Sequence, residues 1–244
     1  MIPRTDLPLP ARALAIAAHP DDAEFGCGAT FAKWAAEGCV LHHLVCTDGS
    51  KGSWDVSADT TVLVARRRDE QREAARRLGG TGEVRFLDVV DGELEADLTL
   101  RGRVAQIIRE LRPAVLLGHD PWKRWRLHPD HRAAGFLCVD GVVAARDPHF
   151  FPEHGLAHHR PDHLLLFECE DPDHVETLEA RHVDAKINAL LAHESQLEST
   201  MTISQSDDGS QLQAFTGRIR RDAAEDGARA GVSLGEAYRL VTGV

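Results

Sequence analysis

The sequence lacks several features that would assign it to a class at once. No stretch approaches the roughly 20 consecutive apolar residues of a membrane span. Prolines interrupt the N-terminal MIPRTDLPLPARALAIAA where a secretory signal would need its apolar run. No membrane span and a cytoplasmic location are therefore expected. Basic charge is in deficit: 28 Lys and Arg stand against 39 Asp and Glu, a formal charge of −11. That balance argues against a nucleic-acid partner, which needs a basic surface to neutralise phosphate, and against anionic membrane surfaces. Cysteines number five, an odd count with no C-x-x-C spacing. A disulfide framework is not expected in a chain of this length, and the thiols read as reduced and mostly buried. Internal repeats and low-complexity segments are missing, and Tyr238 is the only tyrosine.

What remains is a chain of 244 residues with 43% hydrophobic composition, enough for one large core. Short apolar runs at 13–18, 39–46, 84–89 and 114–118 read as buried strands. Helical segments at 27–37, 61–78, 99–111 and 129–144 alternate with them. This alternation predicts an α/β fold, Rossmann-like and doubly wound, with a mostly parallel sheet and helices on both faces. A single domain over 1–244 is expected, with a core at 1–160 and a C-terminal cap region at 161–244. The cap would hold a strand at His163–Glu168, a helix near 179–192 and a closing helical region, where Ser233-Leu-Gly-Glu236 reads as a capping box. Gly26-Cys27-Gly28 sits where a dinucleotide fingerprint would sit, but Phe31 takes the place of its third glycine. Acidic side chains beside it would repel a pyrophosphate, so the glycines read as a tight turn into a helix.

Chemistry concentrates in two echoing segments, AHPDD at 18–22 and HPDH at 128–131. A doubly wound sheet binds ligands outside the carboxyl ends of its strands, where strand order reverses. In the common order 3-2-1-4-5 that crevice lies between the first and fourth strands, and the two segments follow those strands. His19, His131 and one or two of the aspartates suit a divalent metal. Two histidines and one carboxylate leave a fourth position for water. A further carboxylate could take the water's proton, and a further histidine could polarise a carbonyl. A lone His-Pro-Asp is an ordinary turn. Two of them on adjacent strand ends are harder to explain by packing.

AHPDD, HPDH, Arg67-x-x-Glu70 leading into AARRLGG, DGEL at Asp91–Leu94 and AHESQ at Ala192–Gln196 resemble the PIG-L/LmbE-like family of zinc-dependent N-deacetylases. The matches run from residue 13 to about 196, in the family's order. The resemblance implies His19, Asp22 and His131 as ligands of Zn2+, with Fe2+ or another first-row ion also accepted by such a set. It implies Asp21 as the general base that activates water and later protonates the leaving amine. His128 would stabilise the oxyanion and Asp130 would orient His128. Arg67 and His193 would border the substrate pocket. The implied substrate is a small N-acetylated amino sugar or an N-acetylglucosamine-containing glycoconjugate, and the implied assembly is a homo-oligomer. Two other readings stay open: a metal-dependent amidase acting on a thiol conjugate or natural-product amide, and a non-catalytic metal- or sugar-binding module. The chain departs from the family twice. Ala23 follows HPDD, displacing an acid to Glu24, and Arg126 stands where some relatives of the family carry a tyrosine. Arg126 is read as a contact for the oxyanion or an anionic substrate group. Loops 50–60, 121–127 and 147–162 are where substrate specificity would sit.

Overall fold

A computed structural model describes residues 4–244. In chain order the elements are β1 (Arg4–Thr5), β2 (Arg12–Ala17), α1 (Asp22–Ala36), β3 (Val40–Thr47), α2 (Thr60–Arg77), β4 (Val84–Val89) and α3 (Leu98–Leu111). They continue as β5 (Val115–His119), α4 (Pro129–Arg146), β6 (His163–Phe167), β7 (His174–Thr177), α5 (Ala180–Leu190), α6 (Ser210–Arg229) and β8 (Gly235–Thr242). Among the described residues all strands join one eight-stranded sheet of order β1-β7-β8-β6-β5-β2-β3-β4. Strands β4, β3, β2, β5 and β6 are mutually parallel neighbours, which is the 3-2-1-4-5 order expected from the sequence. β8 runs antiparallel between β6 and β7.

β2 lies at the centre of this arrangement and is apolar on both faces because both are covered. Leu14 and Ile16 face a core shared with α3 and α4, while Ala13, Ala15 and Ala17 face Phe31 and Trp34 of α1 and Ala74 of α2. A third apolar cluster joins α1, α5 and α6 through Ala29, Ile187, Phe215 and Ile219. The chain leaves β2 toward β3 on one side and returns through β5 on the other. The connections after β2 and β5 therefore diverge and open a crevice at their carboxyl ends.

Three local readings change. The region after residue 160 is only partly a cap: α5 and α6 cover α1 and β8, while β6, β7 and β8 extend the sheet. Helix α1 begins at Asp22, so Gly26 and Gly28 lie inside it and not in a turn before it. The helix kinks at Cys27, whose φ of −148° and ψ of 17° leave the helical region. A Cβ at Gly26 would lie 2.6 Å from the Phe167 ring, so that glycine lets α1 rest on the end of β6. Finally, Ser233-Leu-Gly-Glu236 leads into a strand, not a helix. The Glu236 carboxylate accepts from the Ala29 and Thr30 backbone N–H groups (3.1 and 2.7 Å) and from Lys186 Nζ (2.7 Å). The acid that resembled a helix cap thus satisfies the donors that the α1 kink releases.

Cys27, Cys39, Cys46 and Cys138 are buried free thiols, and Cys169 is half-buried and free. Among the described residues no helix is long and apolar enough to cross a membrane.

Gly26→Ala is expected to lower folding stability by about 1–3 kcal/mol through overpacking against Phe167. Urea denaturation at equilibrium checks this; an unchanged midpoint would show that Phe167 moves aside freely.

Candidate active site

The crevice is lined by the two echoing motifs and by residues from four other stretches of the chain. His19, Asp21 and Asp22 follow β2, and His128 and His131 open α4. Asp91 and Gly92 follow β4, Arg67 comes from α2, and Lys51, Gln196 and Thr200 form the outer wall. The space they enclose is about 420 Å³. Pro129 occupies the first turn of α4, where its fixed φ suits the helix start and its missing N–H costs nothing. His128 precedes it, exposed in the cleft, and His131 follows one turn later. Their rings stack at 4.8 Å between centroids.

Asp22 is the hub. Its Oδ2 lies 3.2 Å from His19 Nδ1 and 3.3 Å from His119 Nε2, and its Oδ1 lies 3.4 Å from His131 Nε2. The far side of the His19 ring meets two more carboxylates, with Nε2 3.2 Å from both Asp91 and Asp130. Asp130 is fully buried and also accepts from the Gly92 and Leu94 backbone N–H groups at 2.6 and 3.3 Å. A ring that donates through Nε2 keeps its lone pair at Nδ1, on the side of Asp22. Burial, against the pull of Asp22, pushes His131 down to about 4, so it too presents a lone pair at neutral pH.

This crowding tests whether a cation fits. Donors about 2.1 Å from a tetrahedral ion sit about 3.4 Å apart, and acceptor atoms do not face one another at such distances without positive charge between them. One ligand atom each from His19, Asp22 and His131 falls within a 4.8 Å cluster. Without an ion the positive charge must come from protons. Burial disfavours a charged His19, yet hydrogen bonds to Asp130, Asp22 and Asp91 raise it to about 12. Two imidazoles, one carboxylate and surplus acidic charge are the donor chemistry of a divalent metal. A second cluster, of His19, Asp91, His128 and Asp130, lies on the other side of the ring. There Asp130 is already engaged by two backbone donors.

Asp21 faces elsewhere. Its backbone is left-handed, with φ of 103°, a conformation that costs a non-glycine residue about 1–3 kcal/mol and tends to occur where function requires it. The side chain is buried, and its Oδ2 lies 3.6 Å from Arg67 Nη2. Burial raises its carboxyl to about 6 despite the opposing charge of Arg67. Arg67 also donates to the Gly49 and Pro20 carbonyls at 2.9 and 2.6 Å.

Three expectations meet a different geometry. Asp130 forms no hydrogen bond with His128 among the described residues; it bonds His19 and the Asp91–Leu94 turn instead. Arg126 does not face the cleft. Its guanidinium is buried, pairs with Glu168, and donates to the Asp120 carbonyl at 3.2 Å, lying behind His119. His193 is fully buried one layer behind Asp21, with Nε2 3.4 Å from Glu24. Asp91, His119, Glu24 and Glu168 had no role in the sequence reading. Asp91 is visible in the sequence only as the start of DGEL, and His119 only as the residue that follows the apolar run at 114–118. Glu168 comes from the end of β6 and bonds His119 Nδ1 at 3.1 Å, a pairing without a sequence signal.

An open α/β sheet with a His/Asp metal centre and a separate carboxylate at its switch point defines the metal-dependent hydrolase class. The chain belongs to the PIG-L family, described as GlcNAc-PI de-N-acetylase, whose pattern matches residues 14–142. Diacetylchitobiose deacetylase of Thermococcus kodakarensis is 33% identical over 188 residues, 76% of this chain and 70% of that protein. A 1D-myo-inositol 2-acetamido-2-deoxy-alpha-D-glucopyranoside deacetylase of Streptomyces avermitilis is 34% identical, over 62% of this chain and 58% of that protein. The solved structure of N,N'-diacetylchitobiose deacetylase from Pyrococcus horikoshii superposes with a TM-score of 0.84 at 29% identity, covering 96% of this chain and 85% of that one.

Adding a divalent ion to chelator-stripped protein is expected to raise the melting temperature by several degrees, and progressively with concentration. Thermal unfolding across a zinc or iron(II) titration measures it. A flat response would show that the acidic cluster holds no cation.

Proposed function

We propose that the chain removes the N-acetyl group from an amino sugar or N-acetylglucosamine-containing glycoconjugate, with zinc at His19, Asp22 and His131. The observation that carries this reading is the divergence of two adjacent carboxylates. Asp22 meets three imidazoles, while Asp21 meets none at comparable distance and pairs with Arg67. A binding module needs the first carboxylate and has no use for the second.

A bound divalent ion would lower the pKa of its water and polarise the acetyl carbonyl. Asp21 lines the cleft and accepts the proton of the attacking water as oxygen adds to the acetyl carbon. It returns that proton to the nitrogen as the C–N bond breaks, so acetic acid and the free amine leave and pass to acetate and ammonium as the acid's proton moves to the amine. Its raised pKa suits both halves of the cycle. His128 sits exposed in the cleft, 4.6 Å centroid to centroid from His19, and donates to the carbonyl oxygen as negative charge develops there. Asp130 serves His19: by accepting from Nε2 it fixes the tautomer that leaves Nδ1 free. Arg67 holds Asp21 and borders the sugar, a position that the buried Arg126 and His193 do not share. Lys51, Gln196 and Thr200 take the place expected of those two as walls of the substrate cleft.

Asp21→Asn is expected to keep full metal content and to lower turnover by about 10²- to 10⁴-fold, the usual worth of a general base. Amine release from a panel of N-acetylated mono- and disaccharides, read beside metal analysis, is the test. Wild-type turnover in that variant would refute the mechanism. Turnover of thiol-conjugate amides alone would move the reading to the amidase alternative.

A further inference from the structure

We propose that Gln71, which belongs to neither the donor cluster nor the lining of the cleft, is a positioning residue for the reaction: it locks the peptide plane that aims Asp21. The inference rests on the reading of Asp21 as the proton-carrying carboxylate. Left-handed backbone in a non-glycine residue persists only where its surroundings over-determine it, and Asp21 has φ of 103°. Here the surroundings are two side chains of one helix. The Pro20 carbonyl and the Asp21 N–H are the two polar groups of a single peptide unit. Arg67 Nη2 donates to that carbonyl at 2.6 Å, and Gln71 Oε1 accepts from that N–H at 3.0 Å. Arg67 and Gln71 stand four apart on α2 and so project from one face of it. The helix therefore grips the peptide by both ends and fixes its rotation.

The Gln71 amide is itself held one way round. Its Nε2 donates to Glu24 Oε1 at 2.8 Å, which leaves Oε1 for Asp21. Both Gln71 and Glu24 are fully buried, so neither can replace a lost partner with bulk water. Glu24 in turn lies 3.4 Å from His193 Nε2 and 3.6 Å from His43 Nε2. This gives the displaced acid of the first motif, and the histidine that does not reach the cleft, a shared place in the chain of contacts behind Asp21.

The test separates aiming from mere support. Gln71→Ala should lower kcat by about 10- to 100-fold, the scale of a misplaced catalytic group, while KM and metal content stay within about twofold. Gln71→Glu keeps an acceptor for the Asp21 N–H but sets it against the buried Glu24 carboxylate, so a similar loss of kcat is expected. Adding Glu24→Gln to that variant exchanges the amide and the acid across the pair. The new amide donates to the new carboxylate and can still accept from His193, and kcat should recover to within about threefold of wild type. Wild-type kcat in Gln71→Ala would overturn the proposal. A loss that tracks metal content, KM or the unfolded fraction would also overturn it, as would an exchanged pair no better than Gln71→Glu alone. Should Gln71→Ala not fold, the exchanged pair decides. An active Asp21→Asn enzyme would remove the underlying reading, whereas an inert Asp21→Asn beside a fully active Gln71→Ala would remove this inference alone.

Discussion

The site depends on one backbone angle. Consecutive residues at a helix start would ordinarily project their side chains about 100° apart around one axis. Asp21 is left-handed, outside the helix, while Asp22 is its first residue. That break turns two neighbouring carboxylates toward different partners: Asp22 toward imidazoles at the carboxyl ends of β2 and β5, Asp21 toward a guanidinium from α2. Were both to face the same cluster, their mutual repulsion and that of Asp91 and Asp130 would leave no carboxylate free of the cation's field. A strained residue thus gives adjacent carboxylates separate partners, the division on which the proposed mechanism rests.

Charge explains why the rest of the site is built as it is. Asp22, Asp91 and Asp130 converge on a single imidazole, a repulsive set unless positive charge is present. Part of that repulsion is absorbed by backbone donors, as with Gly92 and Leu94 on Asp130. Another part is absorbed by the layer behind the site. His119 lies between Asp22 and Glu168, and Arg126 closes the series on Glu168. Burial disfavours the charged form of His119, but Asp22 and Glu168 outweigh it and raise its pKa. Arg126 is thereby explained by charge balance behind a donor, while His128 stays exposed in the cleft, where the proposed mechanism needs it.

The parallel core was legible because its strands are apolar runs too short for helices, bounded by turn or polar residues and separated by longer helical segments. The convergence of His19 and His131 followed from strand order alone. Sequence failed where a residue's partner lies far along the chain. Glu236 looks like a local cap, yet its partners, Ala29 and Thr30, lie more than 200 residues away. Gly26 and Gly28 look like a turn, because nothing local reports that Phe167 and Lys186 press against that face of α1. Gln71 offers only its spacing from Arg67, and Glu168 offers nothing. Motifs advertise the atoms that react, since those residue types are chemically constrained, while the residues that aim them are ordinary polar side chains from anywhere in the fold.

This division bears on how one family can serve different substrates. Every donor at the proposed metal site, and the Arg67–Gln71 grip on Asp21, lies within residues 14–142, the stretch matched by the family pattern. Gln196 and Thr200, which close the cleft, lie beyond it, on the segment after α5. Gln196 is tied back to the front wall, donating to the Gly52 carbonyl at 3.0 Å. The outer wall is therefore assembled from two loops, one after β3 and one after α5, joined to each other through Gln196 and to the site through the Gly49 carbonyl, which accepts from Arg67 at 2.9 Å, and the Lys51 N–H, which donates to Asp91 at 3.1 Å. On the side of the loop after β3 those ties to the site are made by backbone groups, the Gly49 carbonyl and the Lys51 N–H, so side chains there can change while the separation of Asp21 from Asp22 is kept.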